Sequence, residues 1–294
     1  MNPTRRRARA GRWFIAPNLA AVAVFMAFPL AFSLYMSFQR WDLFTAPTFV
    51  GATNYHDLFT GDPLFGIAVR NTTVFTLGTV VPTVLISLAV AGLLNRKIKG
   101  IGLFRAIAFL PLAVSSVVIA VVWQFVFNTD SGLLNIMLSW FGIAPVPWLT
   151  EPHWAMASLC LVSIWKSVPF ATVILLAAMQ GVPDSLHEAA RIDGAGEVRR
   201  FVSITVPMIR GAVWFVVVIS VINAFQAFDL VYVLTGSSGG PETGTYVLAI
   251  MLFQQAFAFL DFGYASALAW VMFAVLLILT VVQLRLSRRN AVDQ

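Results

Sequence analysis

Seven charged side chains crowd one stretch of a chain that otherwise carries little charge: Glu188, Arg191, Asp193, Glu197, Arg199, Arg200 and Arg210, within EAARIDGAGEVRRFVSITVPMIRG at 188–211. Metal chemistry is the first possibility. His187-Glu188-Ala189-Ala190-Arg191 misses the helical zinc-protease pattern because Arg191 stands where the second histidine must. His56 and His153 lie in separate polar sections without ligand spacing, so no metal site is expected. A second polar set sits inside an apolar run. Asn223, Gln226 and Asp229 are spaced i, i+3, i+6, one stripe of a helix, with Phe225 and Phe228 beside them. Hydrogen-bonding groups flanked by aromatic faces suit a polyhydroxylated ligand, and suit helix–helix hydrogen bonding equally well. Lys166 is a third candidate. It could meet an anionic group, pair with an acid on another helix, or snorkel. An ionisable side chain at mid-membrane costs about 2.5–3.5 kcal/mol on insertion scales, so each such group asks for a reason. Trp165, Gln180 and Ser266 are weaker candidates.

Other chemistries are missing. A nucleotide-binding loop needs a glycine-rich turn before Lys-Ser/Thr. Of three lysines only Lys166 precedes a serine, and no such turn comes before it, so the chain is not expected to bind ATP in the usual way. The single cysteine, Cys160, excludes an intrachain disulfide and two-cysteine motifs, and reads as a small apolar residue. No nucleophile–base arrangement is suggested.

The elements that must position these groups are membrane helices. The chain is 59% hydrophobic and 11% charged, with a mean hydropathy of +0.85, against about 25% charged in soluble domains. A bilayer span takes about 20 residues and must pair all its backbone groups internally. Six runs qualify, at about 13–38, 69–94, 103–127, 155–180, 212–234 and 264–284. The first run is too long for a cleaved signal peptide and ends in Tyr35, Met36 and Phe38; Pro17 and Pro29 are expected to kink it. Residues 133–141 read as a short interfacial helix and 245–259 as an amphipathic piece.

Six spans put both termini on one side. That face carries five basic residues in 1–12, four in 95–105, four in 188–210 and three near the C-terminus, sixteen of the nineteen Lys and Arg. The positive-inside rule makes it cytoplasmic. Basic charge scattered over four juxtamembrane sites also argues against nucleic acid. The expected fold class is therefore an all-α integral membrane protein with six transmembrane helices. Its organisation is a basic tail at 1–12, a first transmembrane helix at 13–39, a core at 69–285 with a cytoplasmic loop at 183–210, and a cytoplasmic tail at 286–294. No polar section leaves room for a catalytic domain.

In the cytoplasmic loop, Ser185-Leu186-His187-Glu188 fits a capping box with Ser185 at the N-cap. Gly194 and Gly196 bracket a turn where glycine permits positive φ. A second helix from about Glu197 to Ile204 leads to Pro207. Taken alone, this is a helix-turn-helix whose Glu188 could merely cap a solvated connector.

Glu188-Ala189-Ala190, Asp193-Gly194-Ala195 and Phe201 with Ile204 and Pro207 resemble the EAA loop of membrane subunits in binding-protein-dependent ABC importers. Asn71-Thr72, Trp165-Lys166, Gly239-Gly240-Pro241 and Gly263 with Ala265-Ser266-Ala267 resemble the carbohydrate-uptake branch. Val206 departs from the usual leucine, and Gly211 stands where a second proline is common, so the start of the fifth span could bend differently. The resemblance implies a type I ABC importer permease fold in a bacterial plasma membrane. It implies coupling to a separate ATPase through Glu188, Ala189, Ala190, Asp193 and Gly194, with ATP and magnesium held by that ATPase and no cofactor bound by this chain. Implied partners are a second, similar permease chain, two ATPase subunits, an extracytoplasmic binding protein and lipid. Arg191, Arg199 and Arg200 could face the partner, anionic lipid or solvent. Asn223, Gln226, Asp229, Phe225 and Lys166 are the candidate pathway residues. The competing reading is a self-sufficient secondary transporter, against which Asp229 is the only acid within a span.

Overall fold

The computed structural model describes residues 15–96 and 99–292. The basic tail 1–12 and Lys97 lie outside them. The described chain is mostly helical. Its single sheet is a two-stranded antiparallel ribbon, β1 (Gln39–Arg40) and β2 (Thr48–Phe49), pairing Gln39 with Phe49. Asp42 folds the turn between them: its Oδ1 accepts from the Thr45 N–H at 2.8 Å, the Thr45 hydroxyl at 2.7 Å and the Phe44 N–H at 3.0 Å. These donors, the Thr45 N–H foremost, hold the Asp42 carboxyl below its ordinary value.

Among the described residues four helices are long and apolar enough to cross a bilayer: α1 (Ile15–Met36), α3 (Pro63–Leu94), α7 (Pro152–Gln180) and the stretch Phe262–Arg285 of α13 (Phe262–Val292). The prolines act where they are tolerated. Pro63 and Pro152 begin α3 and α7, where no N–H is needed; both helices start several residues before the expected 69 and 155. In α1, Pro29 removes the donor to the Phe25 carbonyl. The helix adapts with a wider π turn at Ala23–Ala27 and stays helical to Met36. Phe25 is 78% exposed, and its neighbours expose apolar side chains along the helix, as a lipid-facing surface does.

Two expected spans are not continuous. The third divides into α4 (Ile101–Phe109), a 3-10 turn at Leu110–Ala113 and α5 (Ser116–Val126), with the helical segments bent by 100°. Pro111 and two extended residues, Val114 and Ser115, make that bend. The fifth divides into α10 (Arg210–Phe225) and α11 (Asp229–Thr235), separated by Gln226–Phe228. Unbroken hydropathy hid both, because a broken helix is as apolar as a whole one. Non-helical backbone at this depth is tolerated where it is buried in protein or lines a cavity.

The short elements follow expectation more closely. The interfacial helix is α6 (Leu133–Ser139), shorter than 133–141. Its buried Asn135 donates to the Thr129 and Val146 carbonyls and accepts from the Val146 N–H and the Trp148 indole. The amphipathic piece is α12 (Leu248–Ala258). A short helix after the ribbon, α2 (Thr53–His56), continues through a π turn to Gly61.

The chain divides into two compact units. One comprises the described residues up to Pro63 with Leu252–Phe273; the other comprises Leu64–Met251 and Ala274 onward. In that first unit Gly263 is required by packing: a Cβ there would lie 1.9 Å from the Gln39 carbonyl oxygen. In the second unit, α3 and α7 approach closely enough for a Cβ at Gly78 to sit 3.1 Å from Cys160 Sγ.

Candidate functional site: a polar cavity and a charged loop

In the second unit α3, α7, α10, α11 and the bend before α5 line a cavity of about 440 Å³. Each helix delivers polar groups at helical spacing. From α7 come Ser163, Lys166, Ser167 and Phe170, at i, i+3, i+4 and i+7; from α3 come Thr79 and Thr83; from α10, Ser220 and Asn223. The break at 226–228 turns Gln226, Phe228 and Asp229 into the same space. So Asn223, Gln226 and Asp229 share a cavity, though not as one stripe of one helix. Phe225 does not line it; the break carries Phe228 inward, and Phe170 supplies a second aromatic face. Trp165 and Gln180 do not line it either. Trp165 packs edge-on against Trp123, with centroids 5.9 Å apart, and Ser266 belongs to the other unit.

The Lys166 amine donates to the Ser116 hydroxyl at the start of α5 and shares the cavity with Asp229. The two broken spans meet beyond the cavity. The Gln124 amide on α5 donates to the Val233 carbonyl and, at 3.5 Å, to that of Leu234 on α11. After α11 the chain folds back on itself. The Thr245 hydroxyl donates to Thr235 Oγ1 at 2.8 Å, and Asn71 of α3 donates to the Thr243 carbonyl at 2.8 Å. The neighbouring Thr72 hydroxyl accepts from the Leu248 N–H at 3.0 Å. Asn71-Thr72 and Gly239-Gly240 therefore form one joint: Gly239 has φ +79°, and a Cβ on it would stand 2.6 Å from Tyr246 Cα. Sequence reasoning missed Ser116, Ser163, Ser167 and Gln124. The spacing of Ser163, Lys166 and Ser167 could have disclosed two of them.

The charged loop expected at 183–210 is built from α8 (Asp184–Ile192) and α9 (Glu197–Met208). The capping box is not formed. Pro183 takes the N-cap position in extended conformation, Ser185 is already inside the helix, and no side chain caps it. Pro183 cannot donate, and Asp184 supplies the acid favoured in a first turn. The other end explains the Asp-Gly-Ala sequence. Gly194, at φ +78°, donates to the Arg191 carbonyl at 3.1 Å, and Ala195 donates to the Ala190 carbonyl at 2.9 Å. That paired closure needs a left-handed residue after the cap, the position glycine fills. Gly196 has an ordinary φ of −65° and only precedes α9.

α9 is moored to the rest of its unit. Phe201 lies on α3 where Gly92 leaves room, since a Cβ at Gly92 would come within 2.9 Å of the ring. Arg96 pairs with Glu197 at 2.6 Å, and Arg200 donates to the His187 carbonyl at 3.4 Å. Arg200 thus bonds within the loop, whereas Arg191 and Arg199 are exposed. Glu188, Ala189, Asp193 and Gly194 are exposed and Ala190 is half-buried. Ile192 is 87% and Val198 78% exposed, both on this charged loop. A 73° bend at Ile209 then starts α10.

Residues 83–292 match the family of binding-protein-dependent transport system inner membrane components. The chain belongs to that family. It is 35% identical to the permease protein of a trehalose/maltose transport system from Thermococcus litoralis, over 96% of this chain and 95% of the relative. It is 36% identical to the permease protein of a sulfoquinovosyl glycerol transport system from Agrobacterium fabrum, over 93% and 89%. Its fold matches a chain of a bacterial alginate ABC transporter, crystallised with an alginate-bound periplasmic protein, at a TM-score of 0.84. That match covers 97% of this chain and 96% of the other at 22% identity. This permease is thus a multi-pass inner-membrane component with a type I importer fold, and the secondary-transporter reading is not favoured.

Proposed function

We propose that this permease forms half of the translocation pathway for a sugar or related polyhydroxylated solute, and that α8 couples it to a separate ATPase. The observation that carries the reading is the cavity. Hydroxyls and amides from four helices converge there beside two aromatic rings, the complement of a ligand rich in hydroxyl groups. Relatives named for trehalose/maltose and lactose transport support a carbohydrate. Taking α4–α5 and α10–α11 each as one broken crossing beside the four long helices gives six spans, with both termini and the α8–α9 loop cytoplasmic by the distribution of basic residues. The exposed Ile192 and Val198 suit a protein surface that buries them, and Glu188 would add a charge-assisted contact. The assembly would contain a second permease chain, two ATPases that bind ATP and magnesium, and an extracytoplasmic binding protein.

The test is uptake in proteoliposomes by the full complex, with the binding protein encoded beside this chain. Gly194→Pro demands a φ near −65° where the loop has +78°. It should abolish coupled uptake and stimulated ATP hydrolysis; intact coupling would refute the role of the loop. Asn223→Ala or Gln226→Ala should lower uptake at least about fivefold, the scale of one lost hydrogen bond, while assembly and basal hydrolysis persist. Unchanged uptake kinetics would remove both from the pathway.

A further inference from the structure

Among the side chains lining the cavity, one is a cation and one an anion: Lys166 and Asp229. The other polar groups there are uncharged hydroxyls and amides. The two charges come from different helices and have different supports. Lys166 stands within α7 and is fixed by the Ser116 hydroxyl across the bend of the third span. Asp229 opens α11 and is exposed to the cavity because the fifth span breaks just before it.

A lysine alone in a low-dielectric cavity would create a positive potential and concentrate anionic solutes; an aspartate alone would do the reverse. Held in one cavity, the two offset each other. A neutral polyol then meets hydrogen-bonding groups without a net field, while a sugar acid or sugar phosphate gains nothing to repay its own desolvation. We propose that Asp229 is a specificity-determining residue of this permease: it masks Lys166, so that the pathway favours uncharged polyhydroxylated solutes over anionic ones. The proposal rests on the reading of the cavity as the pathway.

The potential can be measured without knowing the solute. In a complex assembled with cysteine-free partner subunits, Cys160→Ala removes the one native thiol of this chain, and Ser220→Cys places a thiol in the cavity lining. Its reaction rates with anionic sulfonatoethyl and cationic trimethylammonioethyl methanethiosulfonate are compared as a ratio, normalised to a free thiol. With the pair intact the normalised ratio should be near one and change less than about twofold between low and high salt. Asp229→Asn should shift it about tenfold toward the anionic reagent and Lys166→Gln about tenfold the other way. The double variant should restore the parent value. A parent ratio that is strongly biased and salt-dependent overturns the offset, and needs no charge variant to show it. An unchanged ratio in both single variants overturns it too. If neither reagent labels the parent thiol, the pathway reading itself falls, a result distinct from labelling without charge dependence.

Discussion

The two broken spans reach the same cavity by different means. The bend between α4 and α5 is marked in the sequence. Pro111 withholds its N–H, the Leu110 N–H takes the Ile107 carbonyl instead, and Val114 and Ser115 run extended before α5 starts. The break between α10 and α11 has no proline and no glycine within Ala224–Leu230. Its supports come from elsewhere in the chain: the Gln124 amide on the carbonyls ending α11, Thr245 on Thr235, and Asn71 on the folded-back loop. One deformation is written locally and the other is imposed by tertiary contacts. Substitutions far from an imposed break should therefore damage it more than removing a local marker damages the bend.

The largest effect is expected at Gly239→Ala. The new methyl would overlap Tyr246 at backbone and side chain, at a φ of +79° that alanine avoids. The loop would have to leave α11, at a cost of about 1–3 kcal/mol for the overlap with the strain of the positive φ added to it. The complex should assemble poorly and melt well below the parent in detergent. A parent-like melt would show that the loop does not hold α11.

Gln124→Leu is milder, because the fold-back loop remains. It leaves the Val233 and Leu234 carbonyls without their amide donor, at a cost of about 1–3 kcal/mol. Uptake should fall several-fold at near-normal assembly, as Asp229 and Gln226 lose their fixed placement in the cavity. Gln124→Glu, which keeps the size and loses the donor, should behave similarly. Normal uptake in both variants would mean that the break sustains itself.

The same contrast explains what could be read in advance. Short-range codes were legible: the apolar runs, the interfacial helix at 133–139, and the Asp-Gly-Ala closure of α8, whose glycine has the positive φ that the turn requires. Where two local codes competed, the wrong one was chosen, as when Pro183 took the cap position from Ser185. The cavity was half legible. Asn223, Gln226, Asp229 and Lys166 stood out as costly in lipid, but the hydroxyls of Ser163, Ser167 and Thr79 are cheap and drew no notice. Phe225 and Phe228 exchanged importance because the helix breaks between them, and the segment after the break is bonded by Gln124, about a hundred residues away. Hydropathy cannot carry that information.

Pro111→Ala is the smallest expected effect and the sharpest test of the contrast. Restoring an N–H at this position lets the chain compete for the Ile107 carbonyl and extend α4 by one hydrogen bond. Three features still oppose a straight helix: the extended Val114 and Ser115, and the Lys166 amine holding Ser116 at the start of α5. Straightening would pull Ser116 from that amine and move Leu112 and Ser116 out of the cavity wall. The bend should therefore survive, with stability within about 1 kcal/mol of the parent and uptake close to normal. If Pro111→Ala instead costs more than Gln124→Leu in the same melting and uptake assays, the proline does more than mark the bend. The division into a locally written bend and an externally imposed break would then be wrong.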